Sequence, residues 1–234
     1  MRALSLPRLH ALIPAAGRGA RYGGDLPKQY LALGGATMLE HAIAALLADV
    51  RIDRVVVVVA PDDARIDALR LDARVHIARV GGDSRAASVR AGLDALHGLA
   101  TADDWVLVHD AARPCLSPRD LAALIDQVAA DAVGGLLAQP LADTLKRGEG
   151  GRVAATLDRS GLWRAATPQM FRIGLLRRAL DAPGVLETVT DEASAVEQTG
   201  LAPLLVACQA TNLKVTTADD LPLACAILGL QGRL

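Results

Sequence analysis

The segment Arg54–Ala60, RVVVVVA, leaves this chain few ways to fold. β-branched side chains favour extended backbone. A run without polar alternation has no face to give to water, so the strand must be covered on both sides. That is the setting of a parallel sheet sandwiched between helices. Leu9–Pro14, Arg74–Val80 and Trp105–His109 read as further strands, with Gly134–Gln139 and Leu204–Ala207 as weaker ones. Helix starts fall between them. Thr37 and Glu40 have the spacing of a capping box, and Ser117-Pro118 offers an N-cap followed by proline at the first helical position. Thr190 is expected to cap DEASAVEQT, which stops at Gly200, and the stretch from Thr217 to Asp220 is expected to open the last helix. Strand–helix alternation of this kind predicts an α/β fold with a doubly wound, mainly parallel sheet. The 234 residues suit one domain, 1–234, with a sizeable core.

Leu141–Arg159 breaks the alternation: it is polar, contains GEGG and carries short extended stretches on either side. It predicts a hairpin arm at about 141–159, with a disordered surface loop as the alternative. A projecting hairpin cannot bury its own faces and would need a second subunit to pack against.

A net charge of −1 and 2% aromatic residues speak against nucleic-acid binding. No apolar segment is long enough to span a bilayer, and the N-terminal MRALSLPRLHALIPAAG reads as a first strand rather than a signal peptide, so a cytoplasmic protein is expected. The three cysteines, Cys115, Cys208 and Cys225, are far apart and form no CxxC pair. They read as small buried hydrophobes in a reducing compartment. The five histidines lack ligand spacing and read as structural, so no protein metal site is expected.

The stretch after the first strand, PAAGRGARYGGDLPKQY, has the look of a phosphate loop. It fails both common fingerprints. Gly17 and Gly19 begin a G-x-G-x-x-G pattern, but Tyr22 takes the place of the third glycine. Gly19 and Gly24 have P-loop spacing, but Asp25 and Leu26 follow instead of Lys and Ser/Thr. Ala15, Ala16, Gly17 and Gly19 still let a ligand approach backbone N–H donors. Arg21 adds a planar fork suited to phosphate, and Lys28 a mobile point charge. A glycine-rich turn with solvated cations explains the loop alone equally well. Other strand ends add GGDSRAAS and DAARP, and TPQ, TDEAS and NLKVT come later. In a doubly wound fold these ends meet at one edge, in a cleft expected to gather Arg21, Lys28, Arg113 and Lys214. Clustered cations with one or two acids fit a polyphosphate substrate with a metal ion.

PAAGRGARYGGDLPKQY, GGDSRAASVRAGL, VHDAARP, ADTLKR, LWRAATPQMF, TDEAS and NLKVT occur in this order, from about Ala11 to Leu221. Together they resemble the 2-C-methyl-D-erythritol 4-phosphate cytidylyltransferases, enzymes of non-mevalonate isoprenoid synthesis. The resemblance implies a Rossmann-like nucleotidyltransferase fold. It also implies transfer of CMP from CTP to methylerythritol phosphate, with release of pyrophosphate. Mg²⁺ would be bound mainly through the triphosphate. It assigns Arg21 and Lys28 to stabilising the triphosphate, and Ala15, Ala16, Gly17, Gly19, Gly82, Asp83 and Ser88 to the nucleotide. Asp110, Ala111 and Arg113 would lie between the two substrates. Thr144, Arg159, Thr167, Thr190 and Lys214 would hold methylerythritol phosphate. It implies a homodimer whose hairpin arm carries Thr144 and Arg159 toward the partner's site. Two other readings share parts of this pattern: a ribitol 5-phosphate cytidylyltransferase, and a nucleotide-binding regulatory module without catalysis.

Overall fold

The computed structural model describes residues 7–17 and 26–234. In chain order the elements are β1 (Leu9–Pro14), β2 (Ala32–Leu33), β3 (Ala36–Thr37), α1 (Met38–Leu47), β4 (Ile52–Val58), β5 (Val75–Ala78), α2 (Arg85–Ala95), β6 (Trp105–Val108), α3 (Pro118–Val128) and β7 (Gly134–Pro140). Then follow β8 (Leu145–Glu149), β9 (Arg152–Leu157), β10 (Trp163–Arg172), α4 (Ile173–Leu180), α5 (Val185–Thr188), α6 (Glu192–Glu197), β11 (Leu204–Ala207) and α7 (Asp220–Leu230). The main sheet has seven strands in the order β11-β7-β10-β6-β1-β4-β5. β10 alone runs antiparallel to its neighbours β6 and β7; the other pairings are parallel.

The valine run does what its composition demands. Val55 and Val57 face one side of the sheet with Ile13 and Leu107, under Leu39, Leu46, Leu121 and Leu124 of α1 and α3. Val56 and Val58 face the other side with Leu12, Val106 and Val108, under Val89, Leu93, Leu176 and Val196 of α2, α4 and α6. Side chains alternate across a strand, so a strand in the middle layer needs apolar residues at every position. Each such side chain contributes roughly 1.5–3 kcal/mol by leaving water. A smaller cluster forms where α7 packs Ala224 and Leu228 against Met38 and Cys115. Cys115 is buried as expected, whereas Cys208 and Cys225 are only partly covered.

Several local expectations are met. Thr37 and Glu40 close both bonds of the capping box, and Ser117 caps α3 with Pro118 behind it. Others need correction. The cap of α6 is Asp191, not Thr190: the Asp191 carboxylate accepts from the Ser194 N–H at 2.9 Å, and the Ser194 hydroxyl accepts from the Asp191 N–H at 3.2 Å. A carboxylate also suits the positive end of a helix better than a hydroxyl. The strand expected over Arg74–Val80 pairs only from Val75 to Ala78.

Two elements absent from the sequence reading build the site. Helix α2 starts at Ser84, whose hydroxyl accepts from the Ala87 N–H at 3.0 Å. Strand β10 was hidden by Pro168, since proline is not expected inside a central strand. The strand solves this with an irregularity. Its pairing to β7 breaks between Ala165 and Gln169, and its pairing to β6 begins at Gln169, so Pro168 owes no ladder bond.

The 141–159 segment forms a hairpin, β8 paired antiparallel to β9 as a sheet of its own. Gly150 and Gly151 make the turn with φ of 57° and 76°, the left-handed pair that hairpin twist requires. Val153 and Leu157 stand exposed on it.

At the sheet's edge the backbone comes very close to itself. A Cβ on Gly81 would lie 2.2 Å from the Ala16 Cβ and 2.8 Å from the Val59 carbonyl oxygen. Gly81→Ala is expected to destabilise the protein by about 1–3 kcal/mol through forced displacement of these strand ends. Urea denaturation checks this; an unchanged midpoint would contradict it.

Candidate active site

The C-terminal ends of β1, β4, β5 and β6 open into a cleft of about 1230 Å³. Its walls include Ala15–Gly17, Gly81–Arg85, Asp110–Ala112, Lys28 and Lys214. This is the edge at which doubly wound sheets receive ligands. The loops are tied to the strands by main-chain bonds, Ala15 N–H to Val58 C=O at 2.7 Å and Gly81 N–H to Val59 C=O at 2.9 Å. The Gln29 side-chain amide donates to the Ala15 carbonyl at 2.7 Å, which fixes the Lys28 segment to the first loop. Lys28 Nζ lies 2.7 Å from the Val215 carbonyl, and Val215 N–H donates to Ala112 C=O at 2.8 Å. Two lysines from distant parts of the chain thus enter the cleft from one side.

Asp110 is the centre of the charge arrangement. Its Oδ1 accepts from Arg85 Nε at 2.9 Å and its Oδ2 meets Lys214 Nζ at 2.8 Å. Arg113 Nε stands 4.0 Å from Oδ2. Burial alone would raise the Asp110 pKa, but Arg85 and Lys214 outweigh it and hold the carboxyl well below the usual range. Arg85 also grips Glu192 with both terminal nitrogens, at 2.6 and 3.1 Å. Glu192 is buried, and desolvation shifts its pKa upward against the pull of Arg85.

The backbone of Asp110 is held from below. Its N–H donates to Thr167 Oγ1 at 3.0 Å. Thr167 Oγ1 lies 3.1 Å from His109 Nδ1, and His109 Nε2 lies 3.0 Å from the Arg113 carbonyl. A carbonyl can only accept, so we assign the proton to Nε2. Nδ1 then accepts from the Thr167 hydroxyl, which frees that oxygen to receive the Asp110 N–H.

The expected site residues divide into groups. Ala15, Ala16, Gly17, Lys28, Gly82, Asp83, Ser88, Asp110, Ala111 and Lys214 all line the cleft. Ser88 Oγ accepts from the Gly82 N–H at 3.1 Å and donates to the Ser84 carbonyl at 3.0 Å, so it shapes the loop as well as lining it. Gly19 and Arg21 lie outside the described residues. Arg113 does not stand in the cleft wall as expected. It lies behind Asp110, donating to the Asn212 carbonyl at 2.7 Å and the Ala165 carbonyl at 3.4 Å. Thr167 is likewise a support under the floor. Thr190 is exposed at the start of α6, its N–H on Ser194 Oγ at 3.2 Å. Thr144 and Arg159 sit on the arm, away from this chain's own cleft wall, with Arg159 Nη1 donating to the Ala142 carbonyl at the arm's base.

Sequence reading missed Arg85 and Glu192. Both lie inside quoted motifs, GGDSRAAS and TDEAS, but the residues sit 107 positions apart and nothing local pairs them. Among the described residues no group of three or more acids, histidines or cysteines could cage a metal ion.

His109 gives the site a measurable pH signature. Burial lowers its pKa to about 4 from an ordinary 6.5. The unfolded chain therefore takes up a proton that the folded chain refuses, and stability falls as pH drops from 6.5 toward 4, by roughly 3 kcal/mol. Above that window the contribution is complete; below it the loss is constant. His10, also buried, shifts in the same direction. His109→Asn is expected to reduce the fall in urea midpoint between about pH 7 and about pH 4.5 without abolishing it. An equal fall in both proteins would contradict this.

Comparison with known proteins identifies a family. The sequence model of the 2-C-methyl-D-erythritol 4-phosphate cytidylyltransferase family matches residues 9–230. A curated protein of that name from Laribacter hongkongensis is 58% identical over 229 residues, 97% of this chain and 98% of its own. One from Dechloromonas aromatica is 53% identical over 227 residues, covering 95% and 98%. A crystal structure described as 4-diphosphocytidyl-2C-methyl-D-erythritol synthase superposes with a TM-score of 0.86 at 45% identity, over 97% of this chain and 100% of that one. The chain therefore belongs to the 2-C-methyl-D-erythritol 4-phosphate cytidylyltransferase family.

Proposed function

We propose that this chain transfers CMP from CTP to 2-C-methyl-D-erythritol 4-phosphate, releasing pyrophosphate. The observation that carries the reading is the meeting of Arg85 and Lys214 at Asp110, with Lys28 in the wall of the same cleft, beside two small-residue loops, at the edge of a sheet of this family. The nucleophile is a phosphate oxygen of the acceptor. It attacks the α-phosphorus, a new P–O bond forms, and the bond from that phosphorus to the β-phosphate oxygen breaks. A phosphate monoester is anionic near neutral pH, so no general base is needed. The barrier lies in bringing two anions together and in spreading charge onto the leaving pyrophosphate.

The residues suit those tasks. The loops Ala15–Gly17 and Gly81–Asp83 offer backbone next to the start of α2, where helix N–H groups favour phosphate. Lys28 is read as acting on the triphosphate. Lys214, held at Asp110, receives the acceptor's phosphate, supported from behind by Arg113 and Thr167. The small wall residues leave room for a pyrimidine, with Ser88 shaping the loop that reads it.

A Mg²⁺ would arrive on the triphosphate, with Asp110 the carboxylate of the cleft wall that would face it. The ion would neutralise phosphate charge. We further read the arm as a dimer contact. Val153, 66% exposed, and Leu157, 41% exposed, leave apolar surface open in a single chain. A homodimer would bring Thr144 and Arg159 to the partner's cleft. Among the described residues no helix is long and apolar enough to cross a membrane.

Pyrophosphate release from CTP, measured in parallel with 2-C-methyl-D-erythritol 4-phosphate and ribitol 5-phosphate, tests the reading. Rapid release is expected with the first. Preference for ribitol 5-phosphate would reassign the acceptor, and release with neither would leave a binding module. Lys28→Ala is expected to lower kcat on the order of 10²-fold or more with little change in the denaturation midpoint, since it removes transition-state charge. A near-normal kcat would take Lys28 out of the chemistry.

A further inference from the structure

Glu192 has no part in the chemistry above, yet it is one of the most enclosed charged groups in the protein, 1% exposed. It is the first residue of α6. Both its oxygens accept from Arg85, at 2.6 and 3.1 Å. The third nitrogen of that guanidinium, Nε, donates to Asp110 Oδ1 at 2.9 Å, and Asp110 Oδ2 is on Lys214 Nζ at 2.8 Å. The charges alternate from α6 to the cleft: Glu192 negative, Arg85 positive, Asp110 negative, Lys214 positive.

An arginine facing Asp110 alone would keep much of its rotamer freedom. The two-point grip by Glu192 fixes the plane of the guanidinium, and so the direction in which Nε points. Glu192 is itself fixed. The Ala193 N–H donates to Gln169 Oε1 at 2.8 Å, and Gln169 Nε2 donates to Asp191 Oδ2 at 2.8 Å, clamping the start of α6 to β10. Burying an ion pair adds little net stability compared with an apolar pair of the same size, so orientation is the more economical reason for a carboxylate here. From this geometry we infer that Glu192 is a positioning residue: through Arg85 it aims the Asp110 carboxylate, and through Asp110 the Lys214 ammonium, at the place where the acceptor's phosphate is received.

The inference rests on the function proposed above, and one assay separates the two. Pyrophosphate release from CTP and 2-C-methyl-D-erythritol 4-phosphate is measured for the wild type, Glu192→Gln, Arg85→Ala and the double variant. Glutamine keeps the shape and removes the charge. The acceptor KM of Glu192→Gln is expected to rise on the order of tenfold, the scale of losses when outer supports of a site are removed. The double variant is expected to be no worse than Arg85→Ala, because both act through one group. A role in folding alone would lower the amount of active enzyme and leave KM where it was. An unchanged acceptor KM would overturn the inference, as would losses that multiply in the double variant. Should Glu192→Gln not fold, Arg85→Lys takes its place: a lysine can meet one acid but cannot bridge both. Its acceptor KM is expected to rise in the same way, and a wild-type KM would overturn the inference. A wild type that releases no pyrophosphate would remove the proposed function itself.

Discussion

The Asp110 carboxylate is the charge around which the cleft is organised. It follows a buried strand, β6, and its N–H is spent on Thr167, so its position is set by the sheet rather than by the loop it belongs to. Two cations meet its two oxygens. A carboxylate buried without them would be protonated or expelled. With them it stays ionised and holds Arg85 and Lys214 at the mouth of a cleft where they would otherwise repel. A site that must receive two phosphorylated substrates needs concentrated positive charge. It also needs a reason for that charge to stay folded together, and Asp110 supplies it.

This arrangement explains why the surrounding supports are buried and polar. His109, Thr167, Arg113 and Asn212 lie beneath the floor and bond mainly to one another and to main-chain carbonyls. None lines the cleft, yet each fixes a group that does or the loop that carries it. The antiparallel strand β10 delivers Thr167 and Gln169 to this layer, at the irregularity around Pro168. The antiparallel strand of the seven-stranded sheet is therefore where the site's supports are built.

The sheet was legible in the sequence because its signal is local. RVVVVVA and WVLV can be satisfied only between two helical layers, and both strands lie in the sheet as read. Ala15–Gly17, Gly82, Lys28, Asp110 and Lys214 line one cleft, as the sequence suggests, because strand ends converge whatever the details of the helices. The cap of α6 was misplaced by one residue, since Thr190 and Asp191 are adjacent and both residue types cap helices. Strand β10 was hidden by a proline whose missing N–H falls at a break in pairing. Arg85 and Glu192 were hidden for a different reason. Neither is unusual where it stands, at the first turn of a helix, and their meaning arises only when α2 and α6 are packed on one face of the sheet.

The negative charge on Asp110, more than its shape, assembles the cleft for catalysis. The direct measurement is the steady-state rate of pyrophosphate release by Asp110→Asn, which keeps the volume and removes the charge. Folded protein with kcat/KM for the acceptor lowered on the order of 10²-fold or more is expected, the scale on which single positioned charges act in such sites. A variant that turns over within a few-fold of the wild type would contradict the claim.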